Sequence, residues 1–331
     1  MALAADNAVL EVDDHFSDAD STFSDQSSTS TSVTSSVLNY KYENGRRYHA
    51  FREGTYFAPN DDKEQDRMDL FHHISALILG GKLYRAPITA NPKKILDFGT
   101  GTGIWAMDMA DEFPSCEVVG SDLSPIQPSW VPPNCRFLVD DVEADWAVGE
   151  GERYDFIHGR TMAGSIKDWP RLFAQAYASA APGGWVELQE FEIQYGCDDG
   201  SYPAKAPTVA LFIEKLNEAA ESFGKPMDVA RDLKAWMTDA GFADVRDDVY
   251  KVPMAPWAKD RKLKEIGKYA LIHVLEAIEA YSLALFTRVL KYSPEEVQVM
   301  MGKIRKEFKD PEVHVYWIYH VTYGQKPAAS S

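Results

Sequence analysis

Short apolar runs alternate with stretches of helical periodicity through the middle of this 331-residue chain. Runs of strand length occupy 95–98, 117–121, 136–139, 154–158 and 185–191, and the stretches that end near Phe113 and Ala181 have helical spacing. Strands separated by helices need crossover connections, which build a parallel sheet with both faces covered. The pattern therefore predicts an α/β fold with a doubly wound sheet.

Helical periodicity dominates the later part of the chain. Residues 207–223 and 228–240 repeat apolar positions every three or four residues, 244–253 predicts a sixth strand, and 312–323 predicts a last strand. Between these two strands, 256–309 is helical in pattern. Its apolar positions suit a substrate roof or a dimer face, but simple packing on the domain is the favoured interpretation. These positions are Ile272, Leu275, Ile278, Tyr281, Leu283 and Phe286.

The amino-terminal part differs in composition from the rest. Residues 1–40 contain seven acidic side chains and no Lys or Arg, and 21–36 contain twelve Ser or Thr. Such a segment cannot bury enough apolar surface to offset its ordering entropy, so we predict a disordered tail, a solvated leader rather than a phosphorylated one. The sequence predicts that residues 41–92 form an arm, which is irregular to residue 60 and helical over 63–80. Residues 93–327 form the predicted α/β domain.

Charge and cysteine usage exclude several classes of protein. The chain has 51 acidic and 34 basic residues, a net charge of −17, which argues against a general nucleic-acid surface. Its three cysteines are far apart and lack metal-ligand spacing, as expected of reduced thiols. No apolar run approaches the ~20 residues that span a bilayer, and the start lacks a signal-peptide pattern. We expect a cytoplasmic protein without a membrane span, with the nucleus as the alternative; the oligomeric state stays open.

A glycine-rich turn between the first predicted strand and its helix is the main candidate for ligand binding. Residues 97–103 read Asp-Phe-Gly-Thr-Gly-Thr-Gly, and glycines let the backbone approach a ligand beside the free N–H groups of the helix start. A P-loop would need a Lys after the glycines, and a dinucleotide motif would need Gly where Ile104 stands. The turn matches an acid followed by GxGxG, motif I of class I S-adenosylmethionine (SAM) methyltransferases.

Carboxylates follow the next strands in the order that a SAM site would need. Asp122 ends the second strand, where an acid can accept the ribose hydroxyl protons. Asp140 and Asp141 end the third, where an acid can accept from the adenine amino group and the next backbone N–H can reach a ring nitrogen. Asp97 can pair with the cofactor's ammonium group. The predicted cofactor-binding set is Asp97, Gly99, Thr100, Gly101, Gly103, Asp122, Leu123, Asp140, Asp141 and Val142.

The chain resembles the LaeA-like methyltransferases of fungi over about residues 41–327. The segments that carry the resemblance are 43–49 (ENGRRYH), 54–56 (GTY), 64–67 (EQDR), 103–106 (GIWA), 122–128 (DLSPIQP), 312–314 (EVH) and 325–327 (QKP). The resemblance implies the class I methyltransferase fold: a Rossmann-like sheet of seven strands, the last antiparallel and preceded by a helical insert. It implies SAM as cofactor and says little about the substrate.

The founding member of that family is a nuclear regulator of fungal secondary metabolism that works with velvet proteins. The resemblance therefore implies two activities: methyl transfer to a small metabolite, or regulation through a velvet-type protein partner. A nucleotide-dependent oxidoreductase is a third interpretation, which Ile104 disfavours.

Two side chains at the end of the fourth strand are candidate catalytic residues. His158 could act as a base or position the substrate. Arg160 could hold an anionic group or pair with Asp155 or Glu190, and a plain structural role is an even alternative for both. Glu190 is a weaker candidate for a substrate-side acid.

Aromatic side chains of the polar arm are candidates for a lid. Tyr48 and Tyr56 are predicted to cover the cofactor, whereas Trp105 is predicted to pack in the core. The pair His72-His73 lacks the i, i+4 spacing of metal ligands, so no metal is expected.

Overall fold

The computed structural model describes residue 10 and residues 40–49, 51–52, 54, 56–146, 149 and 152–328. The predicted disordered tail, residues 1–40, lies outside the described residues except for Leu10 and Tyr40.

The predicted irregular arm contains a short antiparallel hairpin, β1 (Lys41–Glu43) with β2 (Arg46–Tyr48). Asn44 and Gly45 form its turn with φ of 51° and 79°, the left-handed pair that a two-residue hairpin turn requires. The expectation of irregular structure was wrong here, because Asn-Gly favours the left-handed backbone of a tight hairpin turn.

The arm leads into helix α1 (Asp62–Ile78), whose amino end is capped by the Asp61 side chain. The chain then enters the α/β domain through β3 (Lys94–Phe98), α2 (Ile104–Glu112), β4 (Glu117–Asp122), β5 (Cys135–Val139), β6 (Tyr154–Arg160), α3 (Trp169–Ser179) and β7 (Ala180–Phe191).

The second half is mainly helical, with two strands. It comprises α4 (Ser201–Ala204), α5 (Pro207–Phe223), a short 3₁₀ turn, α6 (Leu233–Asp239), β8 (Ala243–Pro253), α7 (Arg261–Arg288), α8 (Pro294–Phe308) and β9 (Tyr316–Gln325). The last strand starts later than predicted, because Val313 and Val315 are buried in a loop and not in the sheet.

The large sheet has seven strands in the order β5-β4-β3-β6-β7-β9-β8. Strands β3 to β7 are parallel, and β9 runs antiparallel to both of its neighbours. This is the predicted class I methyltransferase sheet, with the helical insert α7–α8 before the last strand. The order of parallel strands reverses at β3, so the carboxyl ends of β3, β4 and β6 open a crevice there.

Apolar side chains cover both faces of the sheet. One cluster joins α1, α2, α5, α7 and α8 to one face, and a second joins α3 and α6 to the other. Among the described helices, α7 alone is long and apolar enough to cross a bilayer, yet 61% of its most apolar window is buried in the protein. Its packing against α1, α5 and α8 explains that composition, because a core helix passes the same test.

Candidate functional site

The glycine turn follows β3 directly and leads into α2. Gly99, Gly101 and Gly103 have φ of 62°, 58° and 83°, which a side chain would strain. A Cβ at Gly103 would lie 2.3 Å from Cζ of Phe137, so that glycine is needed for packing. Gly99 and Gly101 are partly exposed and line a cavity, although a Cβ on Gly99 would lie 2.2 Å from Sδ of Met162.

Asp97 and His158 form a buried pair at adjacent strand ends. Oδ1 of Asp97 accepts from Nδ1 of His158 at 2.7 Å, and its Oδ2 accepts from the Thr100 hydroxyl at 2.5 Å. The His158 ring stacks on Trp105 with centroids 3.7 Å apart. Burial lowers the pKa of His158, so the ring is neutral at pH 7. Its Nε2 atom has no hydrogen-bond partner within the described part of the chain.

The Asp122 side chain is hydrogen-bonded to the glycine turn. Its Oδ2 accepts from the Gly101 N–H at 2.9 Å, and its Oδ1 accepts from the Ser124 N–H at 2.8 Å. Burial raises the pKa of Asp122 to about 6. The carboxylate thus shapes the turn as well as facing the cavity.

The two acids after β5 are arranged differently from each other. Asp140 accepts from the Asp141 N–H at 2.8 Å, whereas Asp141 accepts from the Glu143 N–H and pairs with Arg52 at 2.9 Å. Arg52 belongs to the arm, so this ion pair joins the arm to the strand end. Both acids and Val142 line the cavity.

Arg160 pairs with neither of the acids suggested for it. Its Nη2 lies 3.1 Å from Nδ1 of His72, and its guanidinium lies 5.6 Å from the Phe71 ring centroid. His72 in turn contacts Asp108 at 2.9 Å. Asp155 instead accepts from the Lys93 and Lys94 N–H groups. Burial lowers the pKa of Arg160, which keeps no carboxylate partner among the described residues.

Two adjoining cavities lie at this edge of the sheet. The small cavity is lined by Asp97, Thr100, Trp105 and His158, and the large cavity by Asp122, Leu123 and the residues after β5. Their shared lining residues are Arg67, Met68, Gly99, Gly101, Arg160, Thr161, Phe191, His273 and Tyr281. Of the ten predicted cofactor residues, nine line one cavity or the other, and Gly103 lines neither.

The large cavity continues under the helical insert. It holds about 1610 Å³ of empty space, the open solvent at its mouth included. We call the residues of α5 and α7 that line it the helical wall: Phe212, Leu216, His273, Val274, Ala277, Ile278 and Tyr281. The insert therefore roofs the site, and the favoured expectation of simple packing was incomplete. Of the six apolar positions that the sequence pattern suggested for a substrate roof or a dimer face, only Ile278 and Tyr281 line the cavity. Ile272 is 54% exposed.

The two predicted lid tyrosines have different surroundings. Tyr56 lines the large cavity, where burial raises its pKa. Tyr48 lines neither cavity; it is buried, with the Arg288 guanidinium 4.9 Å from its ring centroid. The expectation that Tyr48 covers the cofactor is corrected, because the hairpin turns its ring toward the end of α7. Trp105 is buried as predicted, and its Nε1 donates to the Leu83 carbonyl at 3.0 Å.

Glu190 is a buried carboxyl group in the lining of the large cavity. It is 1% exposed and accepts from the Met162 N–H. Burial raises its pKa to about 8. The sequence showed it only as an acid near a strand end, and gave no signal for the methionines that line the same cavity, Met68, Met162 and Met227.

No group of three or more His, Cys, Asp or Glu side chains could hold a metal ion within the described ranges. The site instead offers carboxylates, glycine backbone and apolar walls, a donor set suited to an organic cofactor with ammonium, ribose and adenine groups.

Comparison with known proteins gives the relatives of this chain. A family model of the methyltransferase domain matches residues 70–247, more than half of the chain. The methyltransferase pytC of Aspergillus terreus is 46% identical over 298 residues, which cover 90% of this chain and 91% of pytC.

Other relatives carry the name laeA, among them proteins of Aspergillus flavus and Emericella nidulans. The secondary metabolism regulator laeA of Aspergillus flavus is 36% identical over 305 residues, 90% of this chain and 80% of its own. The protein-methionine methyltransferase laeA of Emericella nidulans is 36% identical over 299 residues, 89% of this chain and 79% of its own. Each of these matches covers 89% or 90% of this chain.

Proposed function

The chain belongs to the LaeA-like family of SAM-dependent methyltransferases, and from that premise we propose that its methyl acceptor is a small, largely apolar metabolite. The observation that carries the proposal is the helical wall, an apolar surface that extends the cofactor crevice into a cavity under α7. Ligand pockets for small molecules are concave and mainly apolar, with a few polar groups that orient the ligand.

The residues at the strand ends fit the cofactor. The backbone of Gly99 and Gly101 forms a cradle in which a Cβ would crowd Met162 or Met68, and the acids present oxygens on three neighbouring strands. In this proposal Asp97 holds the ammonium group, Asp122 the ribose hydroxyls, and Asp140 to Val142 the adenine ring. When bound, SAM supplies a methyl group activated by a sulfonium.

His158 and Arg160 then take positioning roles. His158 is neutral and donates from Nδ1 to Asp97, so it orients that carboxylate, while its buried Nε2 has no hydrogen-bond partner among the described residues. Arg160 is held by His72 and lines both cavities without a carboxylate partner, so we assign it the carboxylate of the cofactor.

Labelling of a fungal extract with SAM carrying a tritiated methyl group tests the acceptor class. We expect label in the small-molecule fraction and none above background in protein. Ala277→Phe, in the helical wall, should abolish this labelling while S-adenosylhomocysteine still binds. Ile272→Phe, on the exposed side of the same helix, is the matched control and should label normally. Label confined to protein would refute the proposal.

A regulatory function is the second candidate, favoured by the names of the laeA relatives. In that case the acceptor is a protein side chain, and a velvet-type partner is expected to co-purify with the full chain. We place the small-molecule enzyme in the cytoplasm and the regulator in the nucleus, and imaging of a fluorescently tagged full chain distinguishes the two.

A further inference from the structure

Glu190 stands out among the charged groups of the large cavity. It lies near the carboxyl end of β7, opposite His320 of β9 in the strand register, and is 1% exposed. The bend after β6 holds its carboxylate through backbone N–H groups of Met162 and Ala163. No described residue forms an ion pair with it.

The other charges of the cavity are compensated or lie at the strand ends. Arg67 pairs with Glu64 at 2.5 Å, and Lys225 pairs with Glu143 at 2.8 Å. Asp122, Asp140 and Asp141 belong to the proposed cofactor positions, and Arg160 is held by His72. Glu190 is therefore the carboxylate that the cofactor assignment leaves unused.

Aromatic side chains line the same cavity as this carboxyl group. Phe57, Tyr195, Phe212, Tyr281 and Trp317 line the same cavity. Tyr281 and Tyr319 lie close enough to Glu190 to interact electrostatically, and burial keeps both hydroxyls protonated. Ring faces attract cations, and a carboxylate in an apolar space binds a charged donor far better than a neutral one.

Building on the small-molecule acceptor proposed above, we propose that the acceptor carries a basic amine, and that Glu190 binds its ammonium group within the aromatic lining. The Glu190 carboxyl group, protonated near neutral pH in the free protein, releases its proton to solvent when the ammonium binds, and the resulting carboxylate accepts a hydrogen bond from the ammonium. One N–H bond then breaks and an O–H bond forms on Glu190, so the nitrogen keeps the lone pair that it needs to be methylated. The elevated pKa of Glu190 suits this exchange, because the proton has a stable place on the carboxyl group near neutral pH.

Three matched probes test this with the full chain saturated by S-adenosylhomocysteine: 2-phenylethylamine, 2-phenylethanol and 3-phenylpropanoate. In calorimetry we expect the amine to bind about tenfold tighter than the alcohol or more, and the acid not to bind. At pH 7, amine binding should release close to one proton, seen as a dependence of the binding heat on the buffer. Alcohol binding should release none.

Glu190→Gln should lower amine affinity about tenfold or more, abolish proton release and leave alcohol and S-adenosylhomocysteine affinities unchanged. Glu190→Asp should restore part of the preference for amine. Glu187→Gln is the matched control: it is a buried acid on the same strand, but it accepts from the Arg85 and Ala86 N–H groups and lines neither cavity. It should leave the preference intact.

Equal binding of alcohol and amine, or an amine preference that survives Glu190→Gln, would overturn the role of Glu190 while the small-molecule acceptor stands. Failure of all three probes to bind, together with label confined to protein in the extract experiment, would overturn both proposals.

Discussion

At the scale of single residues, the acids of the site accept hydrogen bonds that hold its backbone and side chains in place before any ligand binds. Asp122 accepts from the Gly101 and Ser124 N–H groups and so ties the glycine turn to the end of β4. Asp97 accepts from His158 and Thr100, and so joins the end of β3 to the end of β6 and to the glycine turn. Each carboxylate oxygen has a second lone pair, so these contacts leave capacity for a ligand.

Asp122→Ala should weaken binding of S-adenosylhomocysteine by about 1–3 kcal/mol, because charge-assisted hydrogen bonds to the ribose are lost. The protein should also lose some stability, since the Gly101 N–H loses its partner. Titration calorimetry measures the first effect and urea unfolding the second. Asp145→Ala, at an acid whose side chain is 99% exposed, should change neither. Unchanged ligand affinity in Asp122→Ala would rule out the ribose role.

Glu190 makes stability depend on pH in a definite direction. Its pKa is raised from 4.5 to about 8 in the folded chain, so the stabilisation from its protonated form is complete below about pH 4.5 and is lost as pH rises toward 8. The side chain of the Glu190→Gln variant does not ionise, so the variant does not lose this stabilisation as pH rises. The free energy of unfolding of the variant minus that of the wild type should rise across this window by up to about 1.4 kcal/mol per pH unit.

Urea unfolding at several pH values between 5 and 8 measures this difference. Glu214→Gln, at an exposed acid of α5, should follow the wild type throughout. A difference that stays flat with pH would show that Glu190 is ionised in the folded protein at neutral pH.

At the scale of elements, the glycine turn and the arm determine how the crevice is built. The turn combines two partly exposed glycines, which lie beside Met162 and Met68, with one that packs on Phe137, so β3, α2 and β5 meet closely at the edge of the cavities. The arm closes the opposite side through the ion pair of Arg52 with Asp141.

Gly101→Val should abolish binding of S-adenosylhomocysteine without unfolding the domain, because its side chain would occupy the cradle. The left-handed backbone adds a cost of about 1–3 kcal/mol in stability. Gly183→Val is the matched control, with φ of 79° and open space around it, and should lose similar stability but still bind. Circular dichroism and calorimetry compare the two, and a Gly101→Val protein that still binds would remove the turn from the site.

The hairpin of the arm is held by a buried guanidinium. Arg46 donates to both oxygens of Asp61, at 2.6 and 2.9 Å, and lies 3.4 Å from Glu279 of α7. Arg46→Ala should cost about 2–5 kcal/mol in urea unfolding, since it leaves Asp61 without its guanidinium partner, whereas Glu279 keeps Lys63 and Arg305. Lys205→Ala removes an exposed pair with Glu312 and should cost less than about 1 kcal/mol. Similar losses in the two variants would mean that the arm is not held by Arg46.

At the scale of the whole molecule, the sheet and the insert enclose one continuous site, so ligand binding should stabilise the chain as a unit. S-adenosylhomocysteine at about 100 times its dissociation constant should add about 2.7 kcal/mol and raise the unfolding midpoint by about 5 °C or more. NAD at the same concentration should leave the midpoint unchanged. A shift with NAD and none with S-adenosylhomocysteine would contradict the cofactor assignment.

Local pattern was sufficient for much of the fold. The apolar runs predicted all seven strands of the large sheet, and the acid–glycine spacing placed nine cofactor candidates at the two cavities. The pattern did not predict the short hairpin of the arm or the side chains that line the large cavity. The Asn44-Gly45 turn marks the hairpin in the arm, whereas nothing adjacent in sequence marks Met162 or the helical wall as cavity lining.

The sequence by itself determined the sheet, the glycine turn and the order of the acids, because these depend on local periodicity and on residues at the ends of strands. Only the tertiary structure decided which side chains share the cavity: α7 lies over the crevice, Tyr48 turns away from it, and Glu190 faces it without a cation. Such contacts join residues far apart in the chain, and packing geometry, which no local pattern encodes, selects them.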